Sequence, residues 1–257
     1  ILSGVIAAII WNLFTWWLGL PSSSSHALIG GLLGATIVKA GFSAVHFNTL
    51  MDKVIIPMFT SPVLGFCAGF MLMLLLAWII VISKAHPDKV NKKFRKLQLL
   101  SSGLMALSHG SNDAQKTMGI ITLALMAGGV LHKGPSGEFE IPIYVILACA
   151  ITMAAGTMNG GWKIIKTMGH KIIRLKPIHG FAAETSAAGL ILTASHFGIP
   201  LSTTHVISTA IMGVGSTLHA HAVKWKIVGN IVTAWIVTIP ACMILSSIIY
   251  YLIYKII

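Results

Sequence analysis

The 257 residues are 56% hydrophobic and 9% charged, with a mean hydropathy of +0.87, which excludes an ordinary soluble domain and makes lipid the solvent of most of the chain. Eighteen Lys and Arg against six Asp and Glu give a net charge of +12, but the bases sit in short polar stretches between apolar runs, which argues against nucleic acid. Cys67, Cys149 and Cys242 all lie in apolar segments without CxxC spacing, which leaves out a disulfide framework and a zinc centre.

In chain order, Ile1 stands within an apolar run with no charged region before it, so we expect an N-terminally truncated chain. About 17 mainly apolar residues lead to a first polar tip, Pro21-Ser22-Ser23-Ser24-Ser25-His26, and residues 54–82 then form the first run long enough to cross ~30 Å of hydrocarbon. Six bases follow, Lys84, Lys89, Lys92, Lys93, Arg95 and Lys96, marking residues 83–96 as a basic cytoplasmic loop. Residues 97–127 read as a helix broken near Gly110 and Asn112, and the connection after it carries Glu138 and Glu140, an external composition. Residues 143–158 form a further span, and Lys163, Lys166, Lys171, Arg174 and Lys176 return the chain to the basic side. A second tip, Pro200-Leu201-Ser202-Thr203-Thr204-His205, precedes Lys224, Lys226 and a last span over residues 227–257.

The tips are copies of one unit. Residues 19–34 align with residues 198–213 with identities at Gly19, Pro21, Ser23, His26 and Gly34, and each copy is followed by a long span containing a proline, Pro62 or Pro240. The first copy opens toward residues 41–53, poor in bases, and the second toward the basic stretch at Lys224, which is inverted topology and the mark of secondary transporters with a site near the bilayer midplane. We therefore expect an all-α, polytopic membrane protein of two inverted-topology repeats with broken helices and re-entrant Ser/Thr-tipped hairpins. Residues 1–82 would be the remainder of the first repeat, with its tip at 21–26, and residues 97–257 the second, with its tip at 200–205.

Each tip ends where a helical run begins, so Ser23, Ser24, Ser25, Ser202, Thr203 and Thr204 stand at helix N-termini, where unpaired N–H groups and the positive end of the dipole attract an anion. Plain capping with small residues for close packing is the other reading. His26 and His205, duplicated with the tips, suit either contact with an anion or a capping role. In residues 108–117, Asp113, Lys116 and Thr117 share a helix face. Oxygens of Asn112 and Asp113 suit a hard cation such as Na⁺, and Asp113 can instead carry a proton or form a structural ion pair with Lys116. Glu184 is either a ligand of a coupling ion or an interfacial carboxylate; its repeat counterpart is Val5, so the duplication does not support it. No GxSxG, HExxH or P-loop motif is present, so an enzyme is not expected.

The motif Gly110-Ser111-Asn112-Asp113-Ala114-Gln115-Lys116, with the two tips, resembles the inorganic phosphate transporter (PiT) family over essentially the whole chain. The resemblance implies a symporter that takes up inorganic phosphate with Na⁺ or H⁺, the minority alternative being sulfate, in a bacterial-type cell membrane. It places Asn112 and Asp113 in the second of two Gly-x-Asn-Asp signatures and the tip hydroxyls around the substrate, with Gln115 and Lys116 in support. The first signature, which should precede the first tip, does not occur in this sequence. Apart from phosphate, lipid and the coupling ion, no cofactor or nucleic acid is expected. Gly65/Gly69 and Gly156/Gly160 have the spacing of close helix contacts, which a homo-oligomer would use.

Overall fold

The computed structural model describes residues 1–132, 140–199 and 201–256, so Glu138 and Pro200 lie outside the described residues. The described chain is helical, and the tip hairpins come first. Helix α1 (Leu2–Leu18) stops at Gly19, whose φ of 70° is left-handed and whose N–H returns to the Thr15 and Trp16 carbonyls. Helix α2 (Ser24–Ala40) starts from Ser23, whose hydroxyl accepts the His26 N–H at 3.3 Å. The second hairpin repeats this start. Helix α8 (Pro177–His196) leads to α9 (Thr203–Ser216), and the Ser202 hydroxyl accepts the His205 N–H at 3.4 Å. The aligned serines are thus the two N-caps.

Between the hairpins, a short α3 (Phe47–Leu50) runs through a π turn into α4 (Ile56–Ser83), and together they are apolar and long enough to cross a membrane. The basic stretch that follows is not a loop throughout. Lys84 closes α4 with φ 47°, and at Pro87 the 41-residue α5 (Pro87–Ala127) already begins, with the His86 ring capping the Asp88 N–H at 3.4 Å. Lys and Arg are good helix formers, and proline at the first turn is pre-set for the start.

The break expected near Gly110 is also absent, and α5 runs unbroken past it. Ser108 and Thr117 return their hydroxyls to the Met105 and Asp113 carbonyls at 3.0 and 3.2 Å, and Asn112 and Asp113 bond sideways to another helix start. The polar residues are satisfied without interrupting the ladder. Helix α6 (Ile143–Met158) bends by 59° into α7 (Trp162–Lys166), and α10 (Trp225–Ile256) is the last membrane-length helix.

The packing of the two copies is reciprocal. α2 lies along α10 and α9 along α4, with α1 and α8 against the same pairs, so each tip hairpin docks on the proline-bearing long helix from the other half of the chain. The contacts need glycine. A Cβ on Gly34 would run into the Met243 carbonyl, and one on the aligned Gly213 into the Phe66 carbonyl. Gly65 and Gly69 are buried in this α4–α9 contact and serve it within the chain. Burial is deepest around Ile172, Ile191, Val206 and Ile231, whereas Trp78, Val81, Ile82 and Ile244 project outward from the long helices, as lipid-facing residues do.

Candidate functional site

The hairpin starts at Ser23 and Ser202 bring His26 and His205 together, with ring centroids 4.9 Å apart. The backbone N–H groups of these histidines donate to the Ser23 and Ser202 cap hydroxyls, and the rings pack between the tips. His205 is fully buried and lies tilted against Trp235, with ring centroids 4.1 Å apart, and the Trp235 indole N–H bonds the Pro21 carbonyl at 2.8 Å. Neither ring nitrogen of His205 meets bonding geometry with another described residue, although the Met58 backbone lies beside it. Trp11 adds a second tie, from its indole N–H to the Thr238 hydroxyl at 3.0 Å.

The polar face of α5 meets both tips. Asp113 Oδ1 accepts from the Thr203 hydroxyl at 3.4 Å and from Asn112 Nδ2 at 3.3 Å, and Lys116 Nζ stands 3.6 Å from it. Its Oδ2 lies 3.7 Å from His109 Nε2. Asn112, 5% exposed, also donates to the Leu201 carbonyl at 3.4 Å and accepts from the Ser195 hydroxyl at 3.3 Å. Lys116 donates to the Ser25 hydroxyl at 2.9 Å and to the Leu201 carbonyl at 3.0 Å, so one ammonium joins the first tip to the second.

The remaining candidates divide by position. Ser24 is exposed and lines, with Ser25, Asn12, Asp113 and Lys116, a cavity of about 500 Å³ between α1, α2 and α5. Thr204 and Ser22 face a larger cavity of about 650 Å³ on the other side, which extends past His109 and Glu184 to His170. The Ser23 and Ser202 hydroxyls are buried in their caps. Glu184 accepts from the Ser101 hydroxyl at 2.5 Å, and no hydrogen bond or ion pair among the described residues joins it to Asp113. Gln115 points away from the site and is exposed.

Sequence reasoning gave Lys116 only a supporting place, although an intramembrane lysine three residues from an aspartate is itself a signal. It missed Ser195, the Leu201 carbonyl, Thr15, which shares a 2.7 Å hydrogen bond with Ser22, and Trp235. None of these carries a sequence pattern, because each meets the tips only through packing. Two helix N-termini, several hydroxyls and an ammonium that offsets a carboxylate make a setting suited to a small oxyanion.

Comparison with known proteins agrees with this chemistry. A profile described as "Phosphate transporter family" matches residues 1–246. A Rhizobium meliloti (strain 1021) protein named "Probable low-affinity inorganic phosphate transporter" is 45% identical over 251 residues, covering 98% of this chain and 73% of the relative. A Bacillus subtilis (strain 168) protein of the same name is 41% identical over 252 residues, 98% of this chain and 74% of its own length. A solved structure called "The sodium-dependent phosphate transporter" superposes with a TM-score of 0.85 at 25% identity, over 100% of this chain and 79% of that one.

Proposed function

Since this chain belongs to the phosphate transporter family, we propose that it takes up inorganic phosphate as a secondary active transporter, holding the anion between the two helix tips and α5. It is a transporter and not an enzyme, a multi-pass protein of the cell membrane. The observation that carries the substrate reading is the convergence of both tips on α5, through Ser25, Leu201 and Thr203 onto Lys116 and Asp113. In this reading Ser24 and Ser25 offer hydroxyls from the wall of the smaller cavity, and Thr204 offers one from the wall of the larger cavity on the other side. Ser23, Ser202 and Thr203 fix the helix starts whose N–H groups face the anion, and Asn112 holds the second tip in register.

Residues 1–82 and 97–257 act as two inverted repeats, and their reciprocal packing supports that division. Rocking of one repeat against the other would open the larger cavity, bordered by His170, and the opposite face in turn. Uptake is coupled to Na⁺ or H⁺, with Asp113 answering the cation and Glu184, on the cavity wall, as a second carboxylate for it. His26 and His205 keep the tips in contact during the change.

A sulfate permease on the same scaffold is the alternative, because both tetrahedral oxyanions use the same donors. The test is uptake of labelled phosphate into liposomes holding the purified full-length protein. Excess unlabelled phosphate is expected to suppress the label by at least about tenfold, and an equal excess of sulfate to leave it unchanged. Suppression by sulfate with none by phosphate would assign the alternative.

A further inference from the structure

We infer that the Lys116 ammonium occupies the place beside Asp113 that a coupling Na⁺ would take, so that this protein moves phosphate without requiring Na⁺. The inference rests on the phosphate-transport reading and deepens it by taking Na⁺ out of the choice of coupling ion at Asp113.

The oxygens converging on Nζ are a hydroxyl from the first tip, at 2.9 Å, a carbonyl from the second, at 3.0 Å, and the Asp113 carboxylate, at 3.6 Å. Hydroxyl, carbonyl and carboxylate oxygens are the ligand types that hard cations select. An ammonium presents three donors, two of which meet the tip oxygens, while its charge faces the carboxylate as an ion pair. A Na⁺ in this oxygen set would stand against Nζ at a separation where like charges repel strongly in a partly buried site. The lysine also gives the aspartate the charge balance that a bound Na⁺ would give.

A merely structural ion pair fits the geometry less well. Lys116 and Asp113 lie three residues apart on one helix, so a pair needs neither tip, yet the two shortest contacts of the ammonium are to the tips. The lysine therefore draws the two tips onto one positive charge, as a cation bound among the same oxygens would. Because it is covalently fixed, that contact persists whatever the Na⁺ concentration.

Two measurements on the full-length protein test this. The first is phosphate uptake into liposomes at fixed pH, with external Na⁺ or with N-methyl-D-glucamine in its place, for the wild type and Lys116→Asn. The wild type is expected to take up phosphate at rates within about twofold in the two media, and Lys116→Asn to lose about tenfold or more without Na⁺ and to recover when Na⁺ is added. The second is thermal unfolding in detergent with and without Na⁺, which needs no substrate. Na⁺ should leave the wild-type midpoint where it is and raise that of Lys116→Asn.

A wild type that loses uptake, or gains thermal stability, according to Na⁺ overturns the inference. So does a folded Lys116→Asn protein that is active without Na⁺, or one that Na⁺ neither reactivates nor stabilises. Should Lys116→Asn fail to fold, the wild-type response to Na⁺ decides alone. Absence of wild-type phosphate uptake in both media would instead count against the transport reading, and the unfolding measurement would still judge the cation site.

Discussion

Asp113→Asn is expected to reduce phosphate uptake to the level of empty liposomes, a loss of about 100-fold. The substitution is nearly isosteric and leaves an oxygen for the Thr203 hydroxyl, so little packing changes. It removes the negative charge that faces Lys116 at 3.6 Å, where the two side chains are 15% and 24% exposed. Removing one partner of a buried pair costs ~3–5 kcal/mol because the other charge is left without compensation. Partial exposure moves the expected cost to the low end, about 3 kcal/mol, which is roughly 100-fold in the population of the assembled site. The freed ammonium would also bind the anion too tightly to release it. Labelled-phosphate uptake measures the effect, with circular dichroism to establish that the variant is folded. The double variant Asp113→Asn/Lys116→Gln should regain thermal stability without regaining transport. Uptake by Asp113→Asn within about threefold of wild type would remove the residue from the mechanism.

The second large effect belongs to the packing that brings the tips together. Gly34→Ala and Gly213→Ala should each cost about 3 kcal/mol or more, enough to deplete the folded population, because the added methyl meets a backbone carbonyl, that of Met243 or of Phe66, which cannot step aside. The two glycines are the aligned last positions of the duplicated segment, and each seats its hairpin on the long helix of the other half. Gly103→Ala and Gly229→Ala are the matched controls. Both lie in helices, nothing stands within 4 Å of the added methyl, and each should be neutral or gain up to ~1 kcal/mol from helix propensity. Thermal unfolding and size-exclusion profiles in detergent report the contrast. Equal stability of the four variants would mean that the helix pairs can separate without cost.

Much of this arrangement is legible in the sequence because it rests on local chemistry. The tips are legible because proline, a run of hydroxyl residues and a following apolar helix mark an N-cap, and the duplication marks it twice. The docking of each hairpin on the other half's long helix is not, since α2 and α9 are apolar along most of their length and only packing selects the partner. The expected break in α5 fails for a related reason. Gly110 faces open space, and the neighbouring polar groups bond within their own turn or across to the second tip, leaving the ladder intact. Similarly, the bases after Lys84 mark a polar segment correctly, but polarity alone does not distinguish a loop from the exposed start of a helix.

At the site, Asn112, Asp113, Ser25 and Thr203 meet as their chemistry suggests, while Gln115, two residues beyond Asp113, falls on the far face of the helix. Glu184 is polar within an apolar segment, as Asp113 is, but it sits on the wall of the larger cavity and bonds Ser101. A carboxylate in an apolar segment indicates that something compensates it, not which group does so. The spacing of Lys116 from Asp113 is visible in the sequence, but its place between the tips is not, because the oxygens it bonds are 91 and 85 residues away in the chain.

The most direct test of phosphate binding between the tips is equilibrium binding of labelled phosphate to the purified full-length protein in detergent, comparing wild type with Ser25→Ala/Thr203→Ala. One substitution removes the hydroxyl that Lys116 bonds on the first tip, and the other the hydroxyl that Asp113 bonds on the second. Saturable binding by the wild type and a weakening of about tenfold or more in the folded double variant, at least ~1.4 kcal/mol, is the predicted result. Binding of equal affinity in both proteins would place phosphate elsewhere and contradict the account.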